Sequence, residues 1–155
     1  MQLETQQPMI DVFCRVMESL AFYFVDPVDK ADVNMDSLDM PYRQLSMRFE
    51  GPHHGSLVMY IPQSMTPVIW ANMLGVDESE AQDAEQQNDA IRELLNVICG
   101  QTLTELWGTE PVFDLHVPQL QDLDQSSLIQ TLTRPSTCCF SSDDGIILLE
   151  IHVDE

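Results

Sequence analysis

The sequence predicts an α+β fold in which two long helices pack on a mainly antiparallel sheet, a two-layer sandwich formed by one domain over residues 1–155. A length of 155 residues with 44% hydrophobic content suits one domain with a real core. Two long stretches carry apolar residues at helical spacing. Each of them precedes a pair of strand-prone runs joined by turn residues, so the two halves of the chain look alike.

The first helix is predicted from Pro8 to about Val25, because proline is tolerated in a first helical turn and Pro27 cannot continue the helix. Its apolar residues leave little polar surface, which predicts a largely buried helix. They are Met9, Val12, Phe13, Val16, Met17, Leu20, Phe22 and Phe24. The acidic segment 26–40 is predicted to be irregular, with a short edge strand.

The middle of the chain predicts a hairpin followed by two helices. Residues 42–62, "YRQLSMRFEGPHHGSLVMYIP", form two strand-prone runs around a turn with Gly51, Pro52 and Gly55. Residues 63–75 predict a short helix that ends at Gly75. A polar segment then leads into a long helix that runs to about Trp107.

The last part of the chain predicts strands. The segment "VFDLHV" after Pro111 is interpreted as a strand, and "QLQDLDQSS" as a polar linker. A second hairpin, "STCCFSSDDGIILLEIHV", is predicted to turn at Asp143, Asp144 and Gly145.

An internal pseudo-repeat organises these elements. "RVMESLAFYF" aligns with "AIRELLNVIC", which places Glu18 over Glu93 and Ala21 over Asn96. Each of these helices is followed by a hairpin, and Phe49 falls over Phe140. A degenerate duplication or a chance resemblance explains this pattern, and the duplication predicts two related helices side by side on one sheet.

The charge of the chain excludes some classes of partner. Twenty-six acidic residues against six basic ones give a net charge of -20. Such a surface repels phosphate backbones and anionic lipid, so neither nucleic acid nor insertion into a membrane is expected. The acidic surface either aids solubility or attracts a basic protein partner.

The cysteines and the N-terminus indicate a reduced cytoplasmic compartment. Cys14 and Cys99 lie in apolar helical runs, and Cys138 and Cys139 are neighbours in a strand, where side chains point to opposite faces. Neither a signal peptide nor a membrane span is recognisable. The sequence offers no metal site, because no Cys/His cluster has ligand spacing.

One helical row of polar residues suggests chemistry. In "DAIRELLNVICG", Asp89, Glu93, Asn96 and Gly100 fall within about 60° on a helical wheel, opposite the apolar side of the helix. Glu93 supplies a charge and Asn96 an amide that can orient a water molecule. Gly100 costs about 1 kcal/mol of helix stability relative to Ala and removes bulk. Exposed helix faces are often rich in Glu and Asn, so the spacing alone is a weak signal.

The string Asp89-xxx-Glu93-xx-Asn96-xxx-Gly100 resembles the signature of the CheC/CheX/FliY phosphatases of bacterial chemotaxis. The segments "VMESLAFYF", "MRFEGPHHGSLVMYIP" and "ELLNVICGQTLTELWG" are similar to the corresponding parts of the CheX branch. The resemblance covers nearly the whole chain, loosely outside the long helix.

This resemblance implies hydrolysis of the aspartyl phosphate of a CheY-like response regulator. Glu93 and Asn96 are then the catalytic residues: Glu93 binds the regulator through its active-site lysine, and Asn96 positions the attacking water. Asp89 and Gly100 flank the contact with the partner. No cofactor of its own is implied, since Mg²⁺ belongs to the regulator.

The resemblance also implies a single site and a homodimer joined through sheet edges, as in the CheX branch. The first helix has Ala21 in the place of the asparagine, so its site is predicted to be inactive. Two other functions stay open: a non-catalytic module that binds a response regulator or a flagellar switch component, and an acidic scaffold.

Overall fold

The computed structural model describes residues 2–38, 40–80 and 83–154, and the side chains of these residues except 2–4 and 37. Four α-helices and seven β-strands make up this part of the chain. The helices are α1 (Gln2–Leu20), α2 (Thr66–Leu74), α3 (Ala84–Trp107) and α4 (Gln125–Leu132). The strands are β1 (Asp26–Val28), β2 (Tyr42–Glu50), β3 (Gly55–Pro62), β4 (Asp114–Leu115), β5 (Gln119–Leu123), β6 (Thr137–Ser142) and β7 (Gly145–Val153).

The strands form one seven-stranded sheet in the order β1-β6-β7-β3-β2, with both β4 and β5 paired to the outer side of β2. All of these described pairings are antiparallel. Helices α1 and α3 pack side by side on one face of this sheet. The predicted α+β architecture, with two long helices on an antiparallel sheet, is confirmed.

The two halves occupy equivalent places in the sheet. Strands β3 and β7 pair at its centre, and each is flanked by the other strand of its own hairpin. Phe140 of the second hairpin packs against Phe13 of α1, with ring centroids 4.5 Å apart. Phe49 of the first hairpin packs against Trp107 of α3 at 6.4 Å. This is the arrangement that the pseudo-repeat predicts.

Both predicted hairpins are present. The turn after β2 brings Gly55 so close to β7 that a Cβ there would lie 1.9 Å from the carbonyl oxygen of His152. Only glycine fits this crossing. The second turn lies between Ser142 and Gly145, as predicted.

Helix α1 differs from its prediction at both ends. It begins at Gln2 and contains Pro8 in its interior, although proline removes a backbone hydrogen bond there. Tertiary contacts hold this first part of the helix: Thr5 is buried, and the side-chain amide of Gln6 donates to the carbonyl oxygen of Pro135 at 3.1 Å.

The prediction that Phe22 and Phe24 belong to a buried helix is wrong. Helix α1 ends at Leu20, Phe22 has a φ of 55°, and the two rings are 67% and 75% exposed. From Ala21 to Val25, buried and exposed residues alternate strictly. This is the two-residue period of an extended chain, so the segment changes from helix to strand geometry earlier than its apolar composition suggests.

The prediction that "QLQDLDQSS" is a polar linker is also wrong. Only Asp114 and Leu115 of "VFDLHV" pair as a strand, whereas "QLQDL" forms β5 beside β2. Helix α4 follows, capped by the Asp124 carboxylate, which accepts from the backbone N–H of Ser127 at 2.8 Å. Its Leu128 and Leu132 cover the second face of the sheet.

A buried carboxylate also lies on this second face. Glu150 of β7 is 1% exposed and accepts hydrogen bonds from Tyr60 at 2.5 Å and from Arg134 at 3.1 Å. The hydroxyls of Ser136 and Thr137 donate to its other oxygen. Because these partners satisfy both oxygens of the carboxyl group, its burial is tolerated in the interior.

Candidate functional site

Helix α3 places the predicted polar row on the surface. Its apolar positions Ile91, Leu94, Leu95 and Ile98 are fully buried. On the opposite side Asp89 and Glu93 are exposed, and Asn96 and Gly100 are partly exposed. The wheel analysis therefore assigned the two faces of this helix correctly.

The central pair consists of Glu93 and Asn96, and neither side chain is engaged by the described residues. Among residues 2–38, 40–80 and 83–154, no hydrogen-bond or ion-pair partner is found for the Glu93 carboxylate or the Asn96 amide. Their i, i+3 spacing places their Cβ atoms about 5–6 Å apart. The pair is thus available to a second molecule and can offer it a charge and an amide at once.

Asp89 has a different environment from Glu93. Its carboxylate accepts from the Arg92 guanidinium at 2.9 Å, and Glu85 accepts from the same group at 3.1 Å. The hydrogen bond with Glu85 is the largest cause of a raised pKa at Arg92, so this group stays charged. The row and its surroundings are therefore negative: the carboxylates of Asp89, Glu93 and the neighbouring Glu85 stand against the single guanidinium of Arg92, which favours a basic group on a partner.

Two concave surfaces meet at the row. On one side, a groove of about 400 Å³ runs between α2 and α3 and is lined by Trp70, Met73, Leu74, Gln86, Asp89, Ala90 and Glu93. On the other side, a depression of about 270 Å³ is lined by Asp89, Arg92, Glu93, Asn96 and residues 115–118. Glu93 borders both, so it stands on the ridge between them.

Gly100 has open space above it. A Cβ built at this position would meet only Leu115 Cδ1, at 3.9 Å, which is an ordinary contact. Nothing within the described chain therefore requires glycine here.

The segment 115–118 is the part of the site that sequence reasoning missed. His116 follows β4, donates its backbone N–H to the Arg48 carbonyl at 2.9 Å, and lies 3.4 Å from Glu50. This places Val117 and Pro118 beside Asn96. The sequence predicted one continuous strand here, and no local signal shows that the chain returns to α3.

Trp107 does not line this surface, although the wheel places it in the same sector as Glu93. Its ring packs against Phe49 and Phe113 and stacks on His53 at 4.1 Å. The segment after α3 contacts this end of the helix through the packing of Phe113 on Trp107.

The position in the first half that corresponds to Asn96 is Ala21, directly after α1, and it offers no second site. Ala21 is fully buried, and its carbonyl oxygen accepts from the Asn72 amide at 2.8 Å. Glu18 is exposed but has no amide beside it in the row.

Neither a metal centre nor a membrane-spanning segment is found in the described residues. No three His, Cys, Asp or Glu side chains converge there as ion ligands. None of the helices in this part of the chain combines the length and apolar character needed to cross a bilayer.

The sequence was compared with protein-family models and with curated proteins. Residues 45–140 match the family model described as chemotaxis phosphatase CheX. No curated protein sequence matches the chain.

Solved structures share the fold over nearly the full chain. The chemotaxis protein CheX from Vibrio vulnificus is 19% identical, with a TM-score of 0.72 and 99% of each chain covered. A CheC-like superfamily protein from Shewanella sp. PV-4 is 21% identical, with a TM-score of 0.70 and full coverage of both chains. A structure of the CheX-CheY-BeF3-Mg²⁺ complex from Borrelia burgdorferi matches at 18% identity and a TM-score of 0.62, covering 96% of this chain and 97% of that one.

Proposed function

This chain belongs to the CheX family of chemotaxis phosphatases, and from that premise we propose that it hydrolyses the aspartyl phosphate of a CheY-like response regulator. The observation that carries the proposal is the unengaged Glu93 and Asn96 pair on the exposed face of α3, between two concave surfaces. The Borrelia burgdorferi relative forms a complex with CheY, which supports a partner of this type.

The proposed roles of the two side chains are those that the family resemblance implies. Glu93 forms an ion pair with the active-site lysine of the regulator and brings the α3 row against the phosphoaspartate. Asn96 holds a water molecule in line with the bond between phosphorus and the aspartyl oxygen. The water oxygen bonds to phosphorus as that bond breaks, the aspartate leaves as a carboxylate, and the water proton passes to phosphate or solvent.

Such a reaction needs positioning more than a strong base. Phosphoryl transfer has a loose transition state, so little help in deprotonating the nucleophile is required. A neutral amide suits this task, since it can donate to or accept from the water. The Mg²⁺ that neutralises phosphoryl charge is proposed to be held by the regulator, and this chain needs none of its own.

The resemblance implies a homodimer as well, and we include it in the proposal. Strand β1, of three residues, ends the sheet on one side, and β4 and β5 end it on the other. Exposed backbone groups at either edge allow pairing with a second copy.

The decisive experiment follows the decay of a phosphorylated CheY-type protein with wild type and with Asn96→Ala. Wild type is expected to speed decay, and Asn96→Ala to lose about 100-fold or more of that effect, as expected when a positioning group is removed. Asn88→Ala is the matched control, because Asn88 lies on the same helix but bonds to Arg43 at 3.3 Å, outside the row.

Two results would overturn the proposal: a wild type that leaves the decay unchanged, or full activity in Asn96→Ala. The binding-module alternative predicts a complex that can be isolated while the phosphate lifetime stays the same. The assay and a pull-down of the same samples separate these two functions.

A further inference from the structure

We propose that two apolar rims beside the Glu93 and Asn96 row form the docking surface for the regulator and set the affinity for it. The α2 rim consists of Trp70, Met73 and Leu74, and the loop rim consists of Leu115, Val117 and Pro118. This inference rests on the proposed function and adds the recognition surface to it.

The α2 rim exposes an apolar side chain at the edge of the groove. Leu74, the last residue of α2, is 59% exposed, and Met73 is partly exposed. Trp70 is buried with Ala71 and Ala90, which fixes α2 against α3. The rim is therefore held on the core by one large side chain while its outer edge faces solvent.

The loop rim lies on the other side of the row and exposes the side chain of Val117. Val117 is 72% exposed, and its neighbour Leu115 is half-buried against the core. The backbone of this rim is fixed at both ends, because Asp114 pairs with Glu50 and Gln119 pairs with Ser46, both on β2. A loop tied to the sheet on both sides loses little further entropy when a partner docks.

The two rims and the row form one continuous surface. The groove and the depression share Asp89 and Glu93, so a protein surface that covers Glu93 and Asn96 lies beside both rims. Exposed Leu and Val side chains gain free energy when water is excluded from them. The carboxylates between them add an electrostatic preference for a basic group.

This pattern selects one kind of occupant. It fits a protein surface that carries a basic group encircled by apolar side chains, with the basic group opposite Glu93. In the proposed function that group is the active-site lysine of the regulator. Interfaces in which an apolar ring excludes water from a central polar contact are well suited to specific binding.

The test measures kcat and KM for dephosphorylation of a CheY-type regulator with Leu74→Ser, Val117→Ser and the double variant. Each single change is expected to raise KM about fivefold and the double change about twentyfold or more, with kcat within about twofold of wild type. Val112→Ser is the matched control, since Val112 is 81% exposed but lines neither concave surface.

The outcomes distinguish this inference from the proposed function. If wild type is active and Asn96→Ala is inactive, but Leu74→Ser and Val117→Ser keep the wild-type KM, the rims are not the docking surface. An equal rise in KM for Val112→Ser also overturns the inference, because it shows a general surface effect. If wild type is inactive, the proposed function fails first, and direct binding of the regulator to the serine variants then decides whether the rims dock it.

Discussion

At the scale of single residues, Gly100 lowers the stability of α3 without a packing contact in the described residues that requires it. Glycine in a helix interior costs about 0.5–1 kcal/mol relative to Ala, yet a Cβ at Gly100 would make only one ordinary contact. Packing within the chain therefore does not explain the glycine. In the proposed function, the missing side chain leaves the α3 backbone open to the regulator one turn beyond Asn96.

Gly100→Ala is expected to raise the free energy of unfolding by about 0.5–1 kcal/mol, because alanine loses less backbone entropy in a helix. The same variant is expected to dephosphorylate the regulator more slowly, since the new methyl group occupies the clearance. Urea denaturation and the phosphate-decay assay measure the two effects. Gln101→Ala, at an exposed neighbouring position of α3, is the control. A stabilised and fully active Gly100→Ala would show that this glycine gives the partner no room.

The sequence predicts the exposure of a residue correctly where that exposure depends on a single helix or strand. The exposure of Glu93 and Asn96 follows from helical geometry and the burial of residues on the opposite side. The position of Val117 beside Asn96 depends on strand pairing at a distant edge of the sheet. No pattern within residues 112–118 contains that information.

At the scale of elements, α1 and α3 occupy equivalent places on the sheet but differ at their C-terminal ends. Both pack on the same face of the sheet, but the end of α1 turns into an extended segment that is tied to α2 through Asn72 and Ala21. Because Ala21 is fully enclosed, the place that corresponds to Asn96 has no access to solvent. The position that corresponds to Asn96 is thus closed by the path of the backbone as well as by its side chain.

Ala21→Asn is expected to lower the free energy of unfolding by about 1–3 kcal/mol, because it forces a larger polar side chain into a packed position. Added to Asn96→Ala, it is expected to restore no activity, since the new amide cannot reach a regulator. Denaturant unfolding of the single variant and phosphate decay with the double variant test this pair of outcomes. Recovery of activity would contradict the assignment of one site.

The sequence did not predict β5 and α4, because both are short and have few apolar residues. Strand β5 has two leucines among polar residues, and α4 has two buried leucines four residues apart. Both elements are stabilised by pairing or packing against parts of the chain far away in sequence. Tertiary contacts, rather than local propensity, decide such segments.

At the scale of the whole molecule, several ionisable groups are buried throughout the core and lose their neutral form only at high pH. Burial, and then the hydrogen bond with Glu150, raises the pKa of Tyr60; burial and Asp144 do the same for Tyr23. Burial raises the pKa of Cys99 to about 12 and that of Cys139 to about 11. In the unfolded chain these groups ionise at about 10 for tyrosine and about 8.5 for cysteine.

The folded state is therefore expected to lose stability above about pH 8.5. Each group with a raised pKa contributes its full share to the free energy of unfolding at any pH below its unfolded-state pKa. This contribution falls as the pH rises from the unfolded-state pKa toward the folded-state pKa. Each fully buried group removes up to about 1.4 kcal/mol per pH unit in that window. Denaturant unfolding at pH 7, 9 and 10.5 measures the decline.

Cys99→Ala is expected to weaken this pH dependence more than Cys14→Ala does, because Cys99 is buried and Cys14 is only partly buried. Equal slopes in both variants and in wild type would contradict the contribution of Cys99.

The position of the rims in the chain has a consequence for how partner choice can change. Leu74 precedes α3 and Val117 follows it, and both side chains face solvent, whereas the residues beneath the row belong to the core. Surface substitutions of this kind usually shift stability by no more than about 0.5 kcal/mol. In the proposed function, the choice of regulator can therefore change through small mutational steps at the rims, each tolerated by the scaffold and none altering Glu93 or Asn96.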